Sequence, residues 1–144
     1  MNNVRQLLQS KEQNVWSTTP ATSVYDALKL MADKNIGALV VLEGERLAGI
    51  FSERDYARKV ILKGRSSREL PVSDIMTTDV VAVRTDQTVV DCMQLMTERR
   101  IRHLPVLDAG RVVGVISIGD VVKSIISDQK DTINHLEEYI TGRR

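Results

Sequence analysis

The chain has 144 residues, and its 20 lysine and arginine residues nearly balance 19 aspartate and glutamate residues, which leaves a formal charge of +1. This balance argues against a dedicated nucleic-acid-binding protein, whose phosphate contacts require a basic excess. Hydrophobic residues make up 42% and charged residues 27%, as in ordinary globular domains, and the single cysteine, Cys92, excludes an internal disulfide. We expect a cytoplasmic protein, because the first residues lack the apolar run of a secretory signal and no stretch of about 18 apolar residues could cross a membrane.

The chain repeats itself at an interval of 65 residues. When residues 26–55 are aligned with residues 91–120, eleven of thirty positions are identical. Most of the identities are apolar and structural, but Ser52/Ser117 and Asp55/Asp120 are polar. The chain is therefore a tandem duplication, and the two polar pairs need a separate explanation.

Each copy predicts the same series of elements: an extended segment, a helix, two strands joined by a short turn, and a second helix. The first helices begin with a Ser/Thr-x-x-acid motif, and the strands are short apolar runs rich in β-branched residues. The order β-α-β-β-α, present twice, predicts an α/β fold. The predicted segments are residues 14–18 and 79–83 for the extended parts, helix starts at Ser23–Asp26 and Thr88–Asp91, strands 38–42, 47–51, 104–107 and 112–116, and second helices from Ser52 and Ser117.

Two further segments complete the chain. Residues 63–71 are rich in charge and turn formers and predict a linker between the copies. The end of the chain predicts an amphipathic helix whose apolar stripe either caps the module or packs against a partner chain. The stripe consists of Val122, Ile125, Ile126, Gln129, Ile133, Leu136 and Ile140. The expected boundaries are 1–62 for an N-terminal arm and repeat 1, 63–71 for the linker, 72–127 for repeat 2, and 128–144 for the C-terminal helix or tail.

The pairs Ser52/Asp55 and Ser117/Asp120 fall on the first turn of the second predicted helix of each copy. One interpretation is helix capping, in which serine and aspartate oxygens accept backbone N–H groups that have no partner in the helix. The other is ligand binding, in which the carboxylate accepts the vicinal hydroxyls of a ribose while serine and the helix N-terminus meet a phosphate. The two interpretations are compatible.

The motif Gly-x-x-Ser-x-x-Asp occurs at Gly49–Asp55 and Gly114–Asp120, together with Gly37–Val41, His103–Asp108 and Asp74–Thr77. In this order and spacing, over about Leu7 to Ile126, the chain resembles the tandem CBS-domain family, whose paired arrangement is called a Bateman module. The resemblance implies two β-α-β-β-α repeats packed with pseudo-two-fold symmetry, here with an added C-terminal amphipathic helix. It also implies a regulatory module that holds adenosine-containing ligands in two clefts between the repeats, with each aspartate on a ribose.

The resemblance also assigns residues to the two clefts. Cleft one would contain Ala38, Ser52, Arg54, Asp55, Arg58, Met76, Thr77, Val80 and Val81. Cleft two would contain Lys11, Val15, Trp16, Ser17, Arg102, His103, Leu104, Pro105, Ser117 and Asp120. Because Trp16 aligns with Val81 and Arg54 with Gly119, we expect the clefts to differ in affinity or ligand. Trp16 is either a packing residue or a platform for adenine.

Basic side chains near the two motifs are candidates for phosphate contacts. Arg54 and Arg58 lie one turn apart on the helix that begins at Ser52, and the alternative is that they and Lys59 form a solvated helix face. In cleft two the candidates are Arg102 and His103, and His103 is alternatively a core or strand-surface residue.

No catalytic or metal-binding constellation stands out in the sequence. The two histidines are far apart, and Cys92 falls on the apolar face of a predicted helix, where a small core residue is expected. We therefore predict a sensor and not an enzyme, with AMP as the first candidate ligand and ADP, ATP, NAD or S-adenosylmethionine as the others.

We expect a homodimer that acts on an effector protein in trans, without membrane contact. The competing hypothesis is a protein-interaction scaffold that keeps the fold without a ligand, the serine and aspartate pairs acting only as caps. A third hypothesis is binding of single-stranded nucleic acid through the basic residues of 54–68, which the charge balance makes the weakest.

Overall fold

The computed structural model describes residues 3–11 and 14–141. They form two compact units. The first unit is built from Asn14–Ala82 together with Asp108–Val113, and the second from Val83–Leu107 together with the described residues of 1–13 and 114–144.

The elements confirm the predicted α/β fold and the repeated order of strand, helix, two strands and helix. In chain order they are α1 Val4–Gln9, β1 Ser17–Thr18, α2 Val24–Lys34, β2 Ala38–Glu43, β3 Arg46–Ser52, α3 Glu53–Tyr56, a π-helical turn Ala57–Ile61, a 3-10 turn Val72–Asp74, β4 Val83–Arg84, α4 Val89–Arg99, β5 His103–Asp108, β6 Arg111–Ser117 and α5 Ile118–Thr141. The strands form two three-stranded sheets, ordered β1-β2-β3 and β4-β5-β6, and the first pair of each sheet is parallel.

Helices α2 and α4 follow the predicted pattern closely. Each begins at an N-cap, Ser23 or Thr88, whose hydroxyl accepts a backbone N–H three residues later. Each ends at a residue in the left-handed conformation, Asn35 or Arg100, both with φ 55°. The predicted apolar faces are buried, at Val24, Ala27 and Met31 in α2 and at Val89, Cys92 and Met96 in α4.

The extended segments before these helices pair over only two residues each. Ser17 and Thr18 pair with Val40 and Val41, and the pairing stops before Pro20, which has no N–H to donate to a ladder. In the second copy the side chain of Gln87 accepts the N–H of Arg84 at 2.8 Å and ends β4.

Each unit includes the segment that precedes the other repeat in the sequence. In the second unit the N–H of Val4, at the start of α1, donates to the carbonyl of Gln87 at 2.9 Å. In the first unit Thr77, which follows the 3-10 turn, pairs with Ile50 of β3, with N···O distances of 2.9 and 3.0 Å. Backbone hydrogen bonds thus tie each unit to residues that are distant in the chain.

The predicted linker is held by hydrogen bonds to the start of α2. The carbonyl of Ser67 accepts the N–H of Tyr25 at 2.9 Å, and the carbonyl of Leu70 accepts that of Val24 at 2.8 Å. The Arg68 guanidinium lies 4.7 Å from the centroid of the Tyr25 ring. Linker carbonyls thus take up N–H groups that a helix start leaves without internal partners.

Helix α5 is one continuous helix of 24 residues. The predicted apolar stripe from Val122 to Ile140 lies within this helix, which runs without a break through residue 128. The corresponding helix of repeat 1 is much shorter, since α3 has four residues and continues only as the π-helical turn. Among the described residues, no helix combines the length and the apolar character needed to cross a membrane.

Gly49 of β3 and Gly114 of β6 occupy equivalent positions in the two repeats. Each allows a distant segment of the chain to approach its strand closely. A Cβ placed on Gly49 would lie 2.8 Å from both the sulfur of Met76 and the backbone oxygen of Thr77. A Cβ on Gly114 would lie 2.6 Å from a methyl group of Leu8. A backbone oxygen can give way less easily than the end of a side chain.

We therefore expect Gly49→Ala to lower the free energy of unfolding by about 1–3 kcal/mol through overpacking, and Gly114→Ala to lower it by less. Urea denaturation of the two variants and the wild type measures both changes. Equal losses, or a larger loss for Gly114→Ala, would contradict this account of the Thr77 contact.

Candidate functional site

The first candidate site begins where β3 ends and α3 starts. The hydroxyl of Ser52 accepts the N–H of Asp55 at 3.2 Å, and Oδ2 of Asp55 accepts the N–H of Ser52 at 2.9 Å. These reciprocal bonds form a capping box, so the capping prediction for this pair is confirmed. The box fixes the half-buried carboxylate at the N-terminus of the helix.

The other oxygen of Asp55 has basic and polar neighbours. Its Oδ1 lies 3.2 Å from Nζ of Lys59 and 3.5 Å from the hydroxyl of Thr77. The Lys59 ammonium also donates to the carbonyl of Ile75 at 3.0 Å. Lys59 is a site residue that the sequence analysis treated only as part of a solvated face, although its spacing of four residues from Asp55 was a usable signal.

All nine residues predicted for cleft one belong to the first unit. Ala38 is buried and pairs with Ser52 across β2 and β3, while Met76 and Thr77 lie against β3. The other four are less closely tied to Asp55: Arg54 and Arg58 are exposed on α3 and the π-helical turn, and Val80 and Val81 are half-buried in the irregular segment before β4.

The second candidate site has the same serine and aspartate geometry. Oδ2 of Asp120 accepts the N–H of Ser117 at 2.9 Å, and the hydroxyl of Ser117 accepts the N–H of Asp120 at 3.2 Å. Here the ammonium comes from Lys11, beyond α1, which donates to Oδ2 of Asp120 at 2.7 Å and to the carbonyl of Val115 at 2.9 Å. The capping prediction is confirmed for this pair as well.

The charge of Asp120 is favoured by its neighbours. Burial acts to raise the pKa of this carboxyl, but the hydrogen bond and the positive charge of Lys11, with the Ser117 donors, outweigh burial and lower the pKa. The carboxylate therefore stays ionised at neutral pH, as an acceptor of ligand hydroxyls must.

His103, at the start of β5, belongs to the surroundings of Asp120. Burial lowers the pKa of His103, and the charges of Lys11 and Arg102 act in the same direction, whereas Asp120 opposes them. The imidazole is therefore neutral at neutral pH. The backbone oxygen of Arg102 accepts the N–H of Ile118 at 2.9 Å, which joins β5 to the start of α5.

The other residues predicted for cleft two lie in β5 or in the first unit. Leu104 and Pro105 are buried within β5, and Val15, Trp16 and Ser17 belong to the first unit. Trp16 packs against the core that contains Met31 and Phe51, and the Lys34 ammonium lies 4.3 Å from its ring centroid. Trp16 therefore packs against the core of the first unit, and a contact of its ring with adenine stays a prediction.

The described residues contain no group of three or more histidine, cysteine, aspartate or glutamate side chains able to hold a metal ion. Cys92 is buried in α4, and burial, with the charge of Asp91, raises the pKa of its thiol to about 11. A protonated, buried thiol is a core residue. The chemistry available at the two sites is a carboxylate acceptor on a helix N-terminus beside an ammonium donor.

The burial of His103 predicts a pH dependence of stability. Because the unfolded chain binds a proton more readily than the folded site, the free energy of unfolding should fall as the pH decreases through the ordinary histidine value of 6.5. His103→Gln should remove this slope, which is at most about 1.4 kcal/mol per pH unit. Urea denaturation between about pH 7.5 and pH 5 measures it.

His135→Gln is the matched control, since His135 is exposed on α5. It should leave the slope of the wild type unchanged. If His103→Gln and the wild type have the same slope, the assigned effect of burial on His103 is wrong.

The chain matches known proteins over most of its length. The CBS domain family model matches residues 4–62 and 72–127. The mitochondrial CBS domain-containing protein CBSX3 of Arabidopsis thaliana is 46% identical over 133 residues, which cover 89% of this chain and 64% of that protein. The chain thus spans about two thirds of the length of this plant relative.

Solved structures give the same result. A putative signal-transduction protein with CBS domains from Burkholderia ambifaria superposes with a TM-score of 0.85 at 53% identity, covering 88% of this chain and 96% of that one. The CBS domain pair of protein MJ0100, solved in complex with 5′-methylthioadenosine and S-adenosyl-L-methionine, superposes with a TM-score of 0.75 at 26% identity, covering 88% and 97%. The chain therefore belongs to the CBS-domain family and carries two CBS domains in tandem.

Proposed function

We propose that this CBS pair is a regulatory module that binds adenosine-containing ligands at Ser52–Asp55 and at Ser117–Asp120. The observation that carries the proposal is the recurrence of one arrangement in both units: a carboxylate fixed on a helix N-terminus by a serine, 2.7–3.2 Å from a lysine ammonium. The complex of the MJ0100 pair with two adenosine compounds supports this ligand class. AMP is the first candidate, and ADP, ATP, NAD and S-adenosylmethionine are the others.

The chemistry of such a ligand fits the groups at each site. Ribose hydroxyls donate to the aspartate carboxylate, and an anionic group is attracted to the helix N-terminus and to the neighbouring ammonium. In the first site Arg54 and Arg58 add positive charge on the same helix, whereas Gly119 occupies the position equivalent to Arg54 in the second. The first site should therefore favour the ligand with more phosphate groups.

Lys11 contacts Asp120 and Lys59 contacts Asp55. These are the two aspartates to which a ribose would bind. A ligand must therefore share the carboxylate with the ammonium or move the ammonium onto its own phosphate. Because Lys59 lies on the π-helical turn that follows α3 and Lys11 lies on the arm beyond α1, this rearrangement differs between the sites. We therefore expect the two sites to bind the same ligand with different affinities.

Signalling follows from unequal affinity for different conformations of the module. A ligand shifts a conformational equilibrium only if it binds one conformation more tightly than another. The module would report its ligand through an effector protein in trans, with no catalysis of its own and no contact with nucleic acid. We further propose that it functions as a homodimer in the cytoplasm.

One observation favours the alternative of a ligand-free interaction scaffold. Both serine and aspartate pairs form capping bonds, which alone account for these residues at helix starts. The third capping pair, Thr88/Asp91 of α4, has the same bonds, at 3.0 and 3.1 Å, and belongs to no predicted site. It provides a control for capping without ligand binding.

We expect Asp55→Asn, Asp120→Asn and Asp91→Asn each to lower the free energy of unfolding by about 0.5–1 kcal/mol through a weakened cap, with a further loss at Asp55 and Asp120, whose carboxylates also pair with Lys59 and Lys11. Titration calorimetry with AMP should show that Asp55→Asn and Asp120→Asn each remove binding at their own site, while Asp91→Asn binds as the wild type does. If the double variant of Asp55 and Asp120 binds AMP as Asp91→Asn does, the aspartates are caps only.

A further inference from the structure

We propose that α5 pairs with α5 of a second copy of this chain in a parallel two-stranded coiled coil. The inference rests on the helix itself and not on the proposed ligand. A seam of six residues on α5 follows alternating intervals of four and three residues, the spacing of a coiled coil. The seam consists of Val122, Ile126, Gln129, Ile133, Leu136 and Ile140.

The chain's own core uses a different face of α5. Val121 and Ser124 are the fully buried residues at the start of this helix, where it packs within the second unit. Val122 and Ile126, which belong to the seam, remain 42% and 47% exposed. The seam is therefore an additional apolar face that the intramolecular packing leaves uncovered.

Among the described residues, the second half of α5 is exposed to solvent. Every described side chain from Gln129 to Glu138 is exposed, and on the seam Ile133 is 54%, Leu136 57% and Ile140 80% exposed. An isolated helix of about 12–15 residues is marginal in water, because most helix stability in proteins comes from packing an apolar face. This half of the helix therefore requires a partner.

The residue types along the seam favour pairing with the same helix of a second copy of the chain. With Leu136 at position d of the heptad, isoleucine occupies position a three times, at Ile126, Ile133 and Ile140. The d positions are Val122, Gln129 and Leu136, and isoleucine at a with leucine at d, as at Ile133 and Leu136, favours two parallel strands over higher oligomers. A seam of this composition can pair with the identical seam of a second copy of the chain. No other kind of partner is needed to cover it.

Gln129, the one polar residue of the seam, selects the parallel orientation. In a parallel pair in register, its amide lies opposite the partner's Gln129, and the two amides satisfy each other by hydrogen bonding. In the antiparallel pair that aligns the same seam, Gln129 would face an isoleucine and lose its partner on burial.

The residues beside the seam are compatible with this pairing. In a parallel pair, Lys130 lies across from the partner's Ile125, and Glu137 from the partner's Thr132. No like charges meet across the seam at these positions. The methylene groups of Lys130 can then cover an apolar neighbour while its ammonium stays in water.

The first test is the dimer dissociation constant from sedimentation velocity. Ile133→Asp places a charge in the seam and should raise this constant by at least about 100-fold, or reduce the order of a larger assembly. Asn134→Asp adds the same charge on the outer face of α5 and should leave the constant unchanged. Both positions are exposed in the single chain, so both variants should fold, which a thermal melt checks.

The second test is the orientation of the helices. Leu136→Cys should form an intermolecular disulfide with its own equivalent on mild oxidation, because parallel pairing brings the two positions within disulfide range. Asn134→Cys should not, and the native Cys92 is buried. Non-reducing electrophoresis of the full chain gives the result.

Three results would overturn the proposal: a monomeric wild type at micromolar concentration, an unchanged dissociation constant for Ile133→Asp, or a dimer in which Leu136→Cys crosslinks to Ile126→Cys and not to itself. An unchanged dimer in Ile133→Asp would still leave the homodimer of the proposed function standing, on another face. Loss of AMP binding has no bearing on these outcomes.

Discussion

Each CBS unit is completed by the chain segment that precedes the other repeat, and both candidate sites depend on this exchange. Backbone hydrogen bonds of 2.9–3.0 Å, from Val4 to Gln87 and between Thr77 and Ile50, hold the two segments in place. Gly49 and Gly114 allow the approach, since a side chain at either position would collide with the incoming segment. Without the exchange, Asp120 would lose Lys11 and Asp55 would lose Thr77.

The exchange also explains why two sites with one motif differ. The serine and aspartate bonds are the same in both, because they depend only on local helix geometry. The ammonium groups come from different places: Lys59 follows Asp55 by one helical turn, whereas Lys11 arrives on the arm beyond α1. A duplication that preserves its caps can therefore give two sites with different affinities, because the residues that surround the carboxylates lie outside the preserved motif.

The parts of the structure that the sequence predicted are those set by local physics. The apolar spacing of α2 and α4 and the helix caps depend on residues within one or two turns, and the interval of 65 residues follows directly from identities between the two copies. The contact of Lys11 with Asp120 joins residues 109 positions apart, and only the family resemblance suggested it. Lys59 was missed because an exposed helix face and an ion pair with Asp55 share the same spacing. The stripe from Val122 to Ile140 was predicted because its apolar spacing is local, whereas the burial of Val121 and Ser124 on another face of α5 depends on packing within the second unit.

The central claim is that the repeated carboxylate and ammonium arrangement holds an adenosine compound, and a thermal-shift screen of ligand-free protein tests it most directly. The compounds are AMP, ADP, ATP, NAD and S-adenosylmethionine, with GTP as the control. A ligand at 100 times its dissociation constant adds about 2.7 kcal/mol to the free energy of unfolding, which a melting curve detects readily. We predict that at least one adenosine compound raises the melting temperature and that GTP does not. If no adenosine compound raises it, the two aspartates serve as helix caps and the module is a scaffold.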